Sequence, residues 1–238
     1  MEDLQELLKQ GVKEFGTELQ DLQVQQLLQY KDILLEWNEK INLTAIEEDR
    51  DVIIKHYIDS LSILPFLEDK NRKMIDIGTG AGFPGIPVKI AYGNLDITLL
   101  DSLDKRVKFL TEVINSLQLK GIKAVHGRAE DFGVRPEFRE KYDIAVARAV
   151  AALPVLLEYC LPFVKVGGIF IAMKGSSTEE VDNSRKALEV LGGKIEDVKE
   201  FTLPFSDMRR NVVLVRKLRQ TPTKYPRKAG KPSKEPLI

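Results

Sequence analysis

The sequence predicts an α/β fold: a doubly wound, mostly parallel sheet of seven strands behind a helical N-terminal extension. Three observations carry this expectation. From Lys73 onward, short apolar runs alternate with helical patterns. The first of those runs ends in a cluster of glycines. The first seventy residues show helical periodicity alone.

In the extension, Leu4, Leu7, Leu8, Val12 and Phe15 share one helical face, as do Val24, Leu27, Leu28, Leu34 and Leu35. Thr17 followed by Gln20 predicts a capping box for the second helix. A further helix is expected over residues 51–64, with Ile53, Tyr57, Leu61 and Leu64 on one side and Pro65 as its stop. Strands are expected at 74–77, 97–100, 124–126, 144–147 and 169–173. Helical patterns separate them, such as Val107, Leu110, Ile114 and Leu117, and Ala187, Leu188 and Leu191 follow the fifth. Gly167-Gly168 predicts a turn into the fifth strand. Two late runs, 194–203 and 211–217, have no helix between them and predict an antiparallel hairpin at the end of the sheet. Residues 220–238 hold four prolines and no apolar period, so they are expected to be extended. The chain thus divides into a helical extension (1–70), an α/β domain (71–219) and a basic, proline-rich tail (220–238).

Composition narrows the class. With 43% hydrophobic and 30% charged residues, the 238-residue chain has the make-up of a globular protein. The single cysteine, Cys160, rules out an internal disulfide and a cysteine-rich zinc module, and its apolar surroundings suit a core residue better than a nucleophile. The apolar stretch 144–164 is broken by Arg148, Pro154, Glu158 and Pro162, which argues against a membrane span. The acidic start does not resemble a secretory signal. A cytoplasmic protein without membrane or metal partners is expected. The charges are unevenly spread. Residues 1–70 carry 7 basic against 16 acidic side chains, and residues 208–238 carry 10 against one. Such an acidic front and basic tail fit a polyanion partner or a solubilising appendage.

The most informative segment is Met74-Ile-Asp-Ile-Gly-Thr-Gly-Ala-Gly-Phe-Pro-Gly-Ile-Pro87. An apolar strand passes through Asp76 into Gly78, Gly80 and Gly82, the arrangement that floors a nucleotide-type pocket at a strand's carboxyl end. Gly80 to Gly85 also matches the dinucleotide pattern G-x-G-x-x-G, so a nicotinamide-dependent oxidoreductase is one alternative. Pro84 and Pro87, however, are expected to delay the helix that would receive a pyrophosphate, and Asp76 places an anion beside it. D-x-G-x-G-x-G with an acid at that position suits a ligand with a positive end, S-adenosylmethionine.

Other candidates follow the later strands. Asp101, after the second, could hold ribose hydroxyls or cap the next helix. Ala129 and Glu130, after the third, could read an adenine edge or form another cap. Arg148 follows the fourth, where such folds face the substrate, and an arginine in an apolar run needs a partner. His56 and Asp59, three apart on a helix, read as a satisfied structural pair, and His126 reads as structural. No Asn/Asp-Pro-Pro-aromatic motif follows the fourth strand, which disfavours methylation of an exocyclic base amine.

Four segments together carry a resemblance: Asn42-Leu-Thr-Ala, His56-x-x-Asp59-Ser60-Leu61, the glycine loop through Pro87, and Leu100-Asp-Ser-Leu-x-Lys-Arg106. They resemble the bacterial small-subunit ribosomal RNA guanine-N7 methyltransferases, also called glucose-inhibited division protein B, over about residues 20–217. Gly-Phe-Pro-Gly is the specific part. The resemblance implies the seven-stranded sheet of S-adenosylmethionine-dependent methyltransferases and a cytoplasmic enzyme. Its substrate would be one guanine of 16S ribosomal RNA near the decoding centre, in free RNA or in an assembling small subunit. It also implies cofactor contacts at Gly78, Phe83, Ala129, Glu130 and Arg148. Asp76, Gly80 and Asp101 join them from the motif and from fold analogy. Arg209, Arg210, Lys224, Arg227, Lys228 and Lys231 are the expected RNA-facing cations. A methyltransferase acting on a protein or a small molecule is the alternative within the same fold.

Overall fold

The computed structural model describes residues 3–67, 72–175 and 179–238. The boundary expected between residues 70 and 71 lies outside the described residues. Seven strands form one sheet: β1 (Lys73–Ile77), β2 (Asp96–Asp101), β3 (Ile122–His126), β4 (Tyr142–Arg148), β5 (Val164–Lys174), β6 (Gly193–Thr202) and β7 (Arg209–Lys217). Their order is β3-β2-β1-β4-β5-β7-β6. Strands β1 to β5 run parallel, and β7 lies antiparallel between β5 and β6. The hairpin expected at the end of the sheet is present, with its second strand on the inside.

Alternation along each strand sends side chains to two separate cores. In β1, Met74 points to one side with Ile97, Leu99, Ile144 and Val146. Ile75 and Ile77 point to the other with Leu100, Ala145 and Ala147. The first core is covered by the extension: Leu8 and Val12 from the helix Leu4–Lys13, Leu27 and Leu34 from Asp21–Ile41, and Ile53 and Tyr57 beyond them. The second is covered by the helices Leu153–Cys160 and Arg185–Leu191. Cys160 is fully buried there. The helical extension is therefore one layer of the sandwich and shares a continuous core with the sheet.

Local details depart from the sequence expectation at three places. The second helix begins at Asp21, and the Gln20 N–H donates to Gln23 Oε1 (2.8 Å), so the cap sits three residues beyond the expected Thr17–Gln20 pair. The helix expected over 51–64 starts at Asp49 and runs through a π-helical turn, Ile53–Ile58, into Asp59–Leu61. Gly167-Gly168 lies inside β5, where pairing with β4 jumps from Tyr142↔Val164 to Ile144↔Ile169. Glycine there supports an irregularity within the strand, with Gly167 at φ +85°.

The tail is the largest correction. It does not extend away from the body. Arg139 donates to the carbonyls of Thr221 (2.6 Å), Pro222 (3.3 Å) and Tyr225 (2.8 Å). Tyr225 is buried in the second core, and Leu237 packs against it. Arg227 grips Glu158 from the helix Leu153–Cys160 through Nε (2.9 Å) and Nη2 (2.6 Å). The expected cation Arg227 is thus an anchor, whereas Lys224, Lys228 and Lys231 remain exposed. Composition suggested an extended chain because these anchors are one aromatic ring, one ion pair and backbone carbonyls, none of which produces a periodic apolar pattern.

Candidate active site

The glycine loop leaves β1 at the point where the strand order reverses, the usual ligand crevice of an open parallel sheet. Gly78 adopts φ +67°, and a Cβ there would lie 2.8 Å from the Val150 side chain, so both conformation and space demand glycine. Asp76 is fully buried beneath the loop. Its Oδ2 accepts from Thr79 Oγ1 (2.7 Å) and from the Gly85 N–H (2.9 Å), while Oδ1 is unpartnered. Burial pushes its carboxyl up to about 6, partly opposed by the bonds from Thr79 and Gly85.

The helix Gly85–Ala91 starts immediately behind the loop, contrary to the delay expected from Pro84 and Pro87. Its N-terminus is nevertheless closed to a phosphate. The Gly85 N–H is taken by Asp76, the Ile86 N–H by the Gly82 carbonyl (2.8 Å), and Pro87 has none. A carboxylate occupies the place a diphosphate would need.

Above Gly78 lies a cleft of about 310 Å³, lined in part by Ser102, Ala129, Glu130, Val150, Tyr159 and Gly230. Asp101 stands just behind it, with Oδ2 accepting from the Gly80 N–H (2.9 Å) and Oδ1 from the Leu103 N–H (3.0 Å). It therefore joins the glycine loop to Leu103, the residue before the helix Asp104–Ser116, and is not itself the N-cap that the sequence offered as an alternative.

A second recess of about 300 Å³ opens on the other side of the end of β4, lined by Lys55, His56, Asp59, Arg148, Ala149, Lys174 and Arg210 among others. The chain leaves β4 with Ala149 in the left-handed region (φ +56°), and Ala149 lines this recess while Val150 lines the first cleft. Arg148 organises its wall. It donates to Asp59 Oδ2 (2.9 Å), to the Lys55 carbonyl (3.1 Å) and to His56 Nδ1 (3.2 Å), and it stands 5.0 Å from the Phe83 ring centre. Asp59 Oδ1 accepts from Arg210 Nε at 3.0 Å. His56 stacks on Phe83 with ring centres 4.4 Å apart, and its Nε2 lies 2.8 Å from Thr44 Oγ1.

A guanidinium can only donate, so Nδ1 of His56 is the bare nitrogen and Nε2–H donates to Thr44. Burial, and then the charge of Arg148, bring the imidazole down to about 3. The pH dependence of stability follows. Below about pH 6.5 the unfolded chain takes up a proton on His56 that the folded chain refuses until about pH 3, so acidification destabilises. Asp76, with its raised folded pKa of about 6, acts oppositely between pH 6 and 3.8. Between pH 6.5 and 5 the two effects largely offset each other, so the wild-type protein should lose only about 0.5 kcal/mol, whereas His56→Gln should gain about 1 kcal/mol from Asp76 alone. Denaturant titrations at the two pH values measure this, and parallel profiles would refute a neutral buried imidazole.

Comparison with known proteins places this arrangement. The model of the GidB family, described as rRNA small subunit methyltransferase G, matches residues 23–213. The chain belongs to this family. It is 67% identical over 234 residues to a ribosomal RNA small subunit methyltransferase G of Acetivibrio thermocellus, covering 98% of this chain and 97% of that one. It is 56% identical over 237 residues to the protein of that name from Alkaliphilus oremlandii, covering 99% of both. Among solved structures it resembles TYW2 of M. jannaschii in complex with AdoMet (TM-score 0.52, 15% identity, 64% of this chain and 72% of that one). It also resembles TrmN of Thermus thermophilus (TM-score 0.53, 15% identity, 68% and 48%). At such low identity these two show the fold.

This small-subunit rRNA methyltransferase divides the candidate site residues between two recesses. Gly78, Ala129 and Glu130 line the cleft, and Asp76, Gly80 and Asp101 support its floor from behind. Phe83 and Arg148 belong to the second recess, beside Arg210. His56 is satisfied on both ring nitrogens, as the sequence reading expected, but by Thr44 and Arg148 and not by Asp59, which Arg148 also holds. The signal was present in Asn42-Leu-Thr-Ala and His56-x-x-Asp59, which the fold brings together through the Thr44–His56 bond. No helix among the described residues is long and apolar enough to cross a membrane, and none of their His, Cys, Asp and Glu side chains cluster as a metal site.

Proposed function

We propose that this protein transfers a methyl group from S-adenosylmethionine to N7 of one guanine in 16S ribosomal RNA near the decoding centre. It acts in the cytoplasm on the RNA or on an assembling small subunit. The observation that carries the reading is the pairing of two recesses across Gly78 and the Ala149-Val150 turn. One bears Glu130 and suits a nucleoside; the other is lined by four cations, Arg148 and Arg210 sharing Asp59 while Lys55 pairs with Asp51 and Lys174 with Glu180, and suits the phosphates around a target base.

The residues of the first cleft fit the methyl donor. Glycine at 78 leaves room for it, and Glu130 with the Ala129 backbone faces an adenine edge. Asp101 has lone pairs beyond those used by Gly80 and Leu103 to offer ribose hydroxyls. S-adenosylmethionine supplies an electrophilic methyl group on a sulfonium. Guanine N7 carries a lone pair and no proton, so the protein must align the acceptor and need not remove a proton from it. The second recess is built accordingly: its one imidazole is neutral, with its bare nitrogen committed to Arg148. Lys224, Lys228 and Lys231 stand exposed on the docked tail and Arg209 exposed at the start of β7, where they can meet the RNA backbone.

The single-turnover rate should therefore stay nearly flat from neutral to mildly alkaline pH. Methylated RNA should be cleaved at the modified nucleotide by borohydride and aniline, the treatment specific for N7-methylguanine. A rate rising with an ordinary histidine pKa would overturn the mechanism, and product resistant to cleavage would overturn the assigned atom.

A further inference from the structure

One wall of the cleft above Gly78 comes from neither the sheet nor its crossover helices. Gly230, from the last nine residues, lines it beside Glu130 and Tyr159. The Gly230 N–H donates to Glu130 Oε1 at 2.9 Å. The position of this amide is fixed from both sides. Upstream, Arg227 is clamped to Glu158 and Tyr225 is buried; downstream, Pro232 is buried. We infer that the docked C-terminal segment is a specificity element of the donor site, in which the Gly230 amide holds one oxygen of Glu130 so that the other faces the exocyclic amine of an adenine ring. The inference rests on the role given to Glu130 above.

The physical argument concerns a torsion. The terminal torsion of a glutamate is broad, so an unrestrained carboxylate presents its oxygens in many directions. Glu130 is the second residue of the short helix Ala129–Phe132, and the bond from Gly230, one hundred residues away in sequence, removes that freedom. A fixed acceptor pairs with the amine of adenine. Hypoxanthine presents a carbonyl at the same position, leaving two acceptors face to face, and polar sites reject such mismatches strongly.

Gly230 has φ +81°, and a Cβ built on it meets nothing within 4 Å. Because Gly230 lines the cleft, two side chains of similar size are compared, so that they differ in their tolerance of the backbone conformation. Valine strongly resists this conformation, whereas asparagine tolerates it. The test uses the full chain and compares binding of S-adenosylhomocysteine with that of S-inosylhomocysteine by calorimetry. Wild-type protein should prefer the adenine compound by tenfold or more. Gly230→Val should weaken adenine binding about tenfold and shrink the preference, and Gly230→Asn should restore both. Glu130→Gln should also abolish the preference. If Glu130→Gln abolishes it while Gly230→Val, folded by its melting profile, leaves it intact, the tail has no part in recognition and the inference falls. If neither variant changes the preference, the reading of Glu130 falls, and the inference with it.

Discussion

Asp59→Ala should lower the free energy of unfolding by about 3–5 kcal/mol, the cost of breaking a buried ion pair from one side. The Asp59 side chain is 7% exposed and is shared by two guanidiniums, those of Arg148 (13% exposed) and Arg210 (23% exposed). Removing it leaves two cations facing each other, partly stripped of water. Neither can rotate freely away, because Arg148 is also held by Lys55 and His56. Asp59→Asn keeps an acceptor for one guanidinium but turns an amide donor toward the other, so about half the loss is expected. Urea unfolding of the three proteins measures the series. A cost below about 1 kcal/mol for Asp59→Ala would mean the cluster behaves as a surface pair. As Asp59 only aims the two arginines, its folded variants should lose methyl-transfer rate while S-adenosylhomocysteine affinity stays unchanged. A parallel loss of both would remove it from this positioning role.

The second large effect concerns the tail. Arg227→Met should cost about 3 kcal/mol, because it strands the Glu158 carboxylate, 1% exposed, in an apolar helix without its partner. For a chain of this size the melting temperature should fall by about 2–4 °C per kcal/mol. The double variant Glu158→Met/Arg227→Met should recover most of the loss, since an apolar pair of similar volume replaces a buried ion pair at little net cost. Thermal melts of the single and double variants decide the matter. Additive losses would mean that Arg227 and Glu158 contribute through separate contacts.

The two regions differ in how well the sequence announced them. All seven strands were legible, five as short apolar runs between helical patterns and two as a late pair without a helix between them, whereas their order in the sheet came from the structure. The glycine loop was legible because its parts are local: Asp76, Gly78 and Gly85 lie within ten residues of one another. The partners of Arg148 were not. Asp59 is 89 residues away and its second arginine, Arg210, is 151 residues from it, so only the crossovers of the sheet and the inward placement of β7 join them. On its own helix, His56 with Asp59 looks like any polar pair three residues apart. The π-helical turn that carries His56 was equally hidden, since a π turn has no composition of its own.

The position of β7 also bears on the order in which the protein becomes an enzyme. A chain is made from its N-terminus, and folding begins before synthesis ends. Here β6 has no neighbour until β7 is inserted between it and β5, and β7 is the last strand made. Arg210 arrives with that strand and Gly230 arrives later still. Both recesses thus await residues near the C-terminus, although the glycine loop is made early. A nascent chain that lacks β7 lacks Val212 and Leu214 of the first core and Val213 and Val215 of the second as well as Arg210. The order of synthesis therefore supplies part of the wall of each candidate recess last, well after the glycine loop between them.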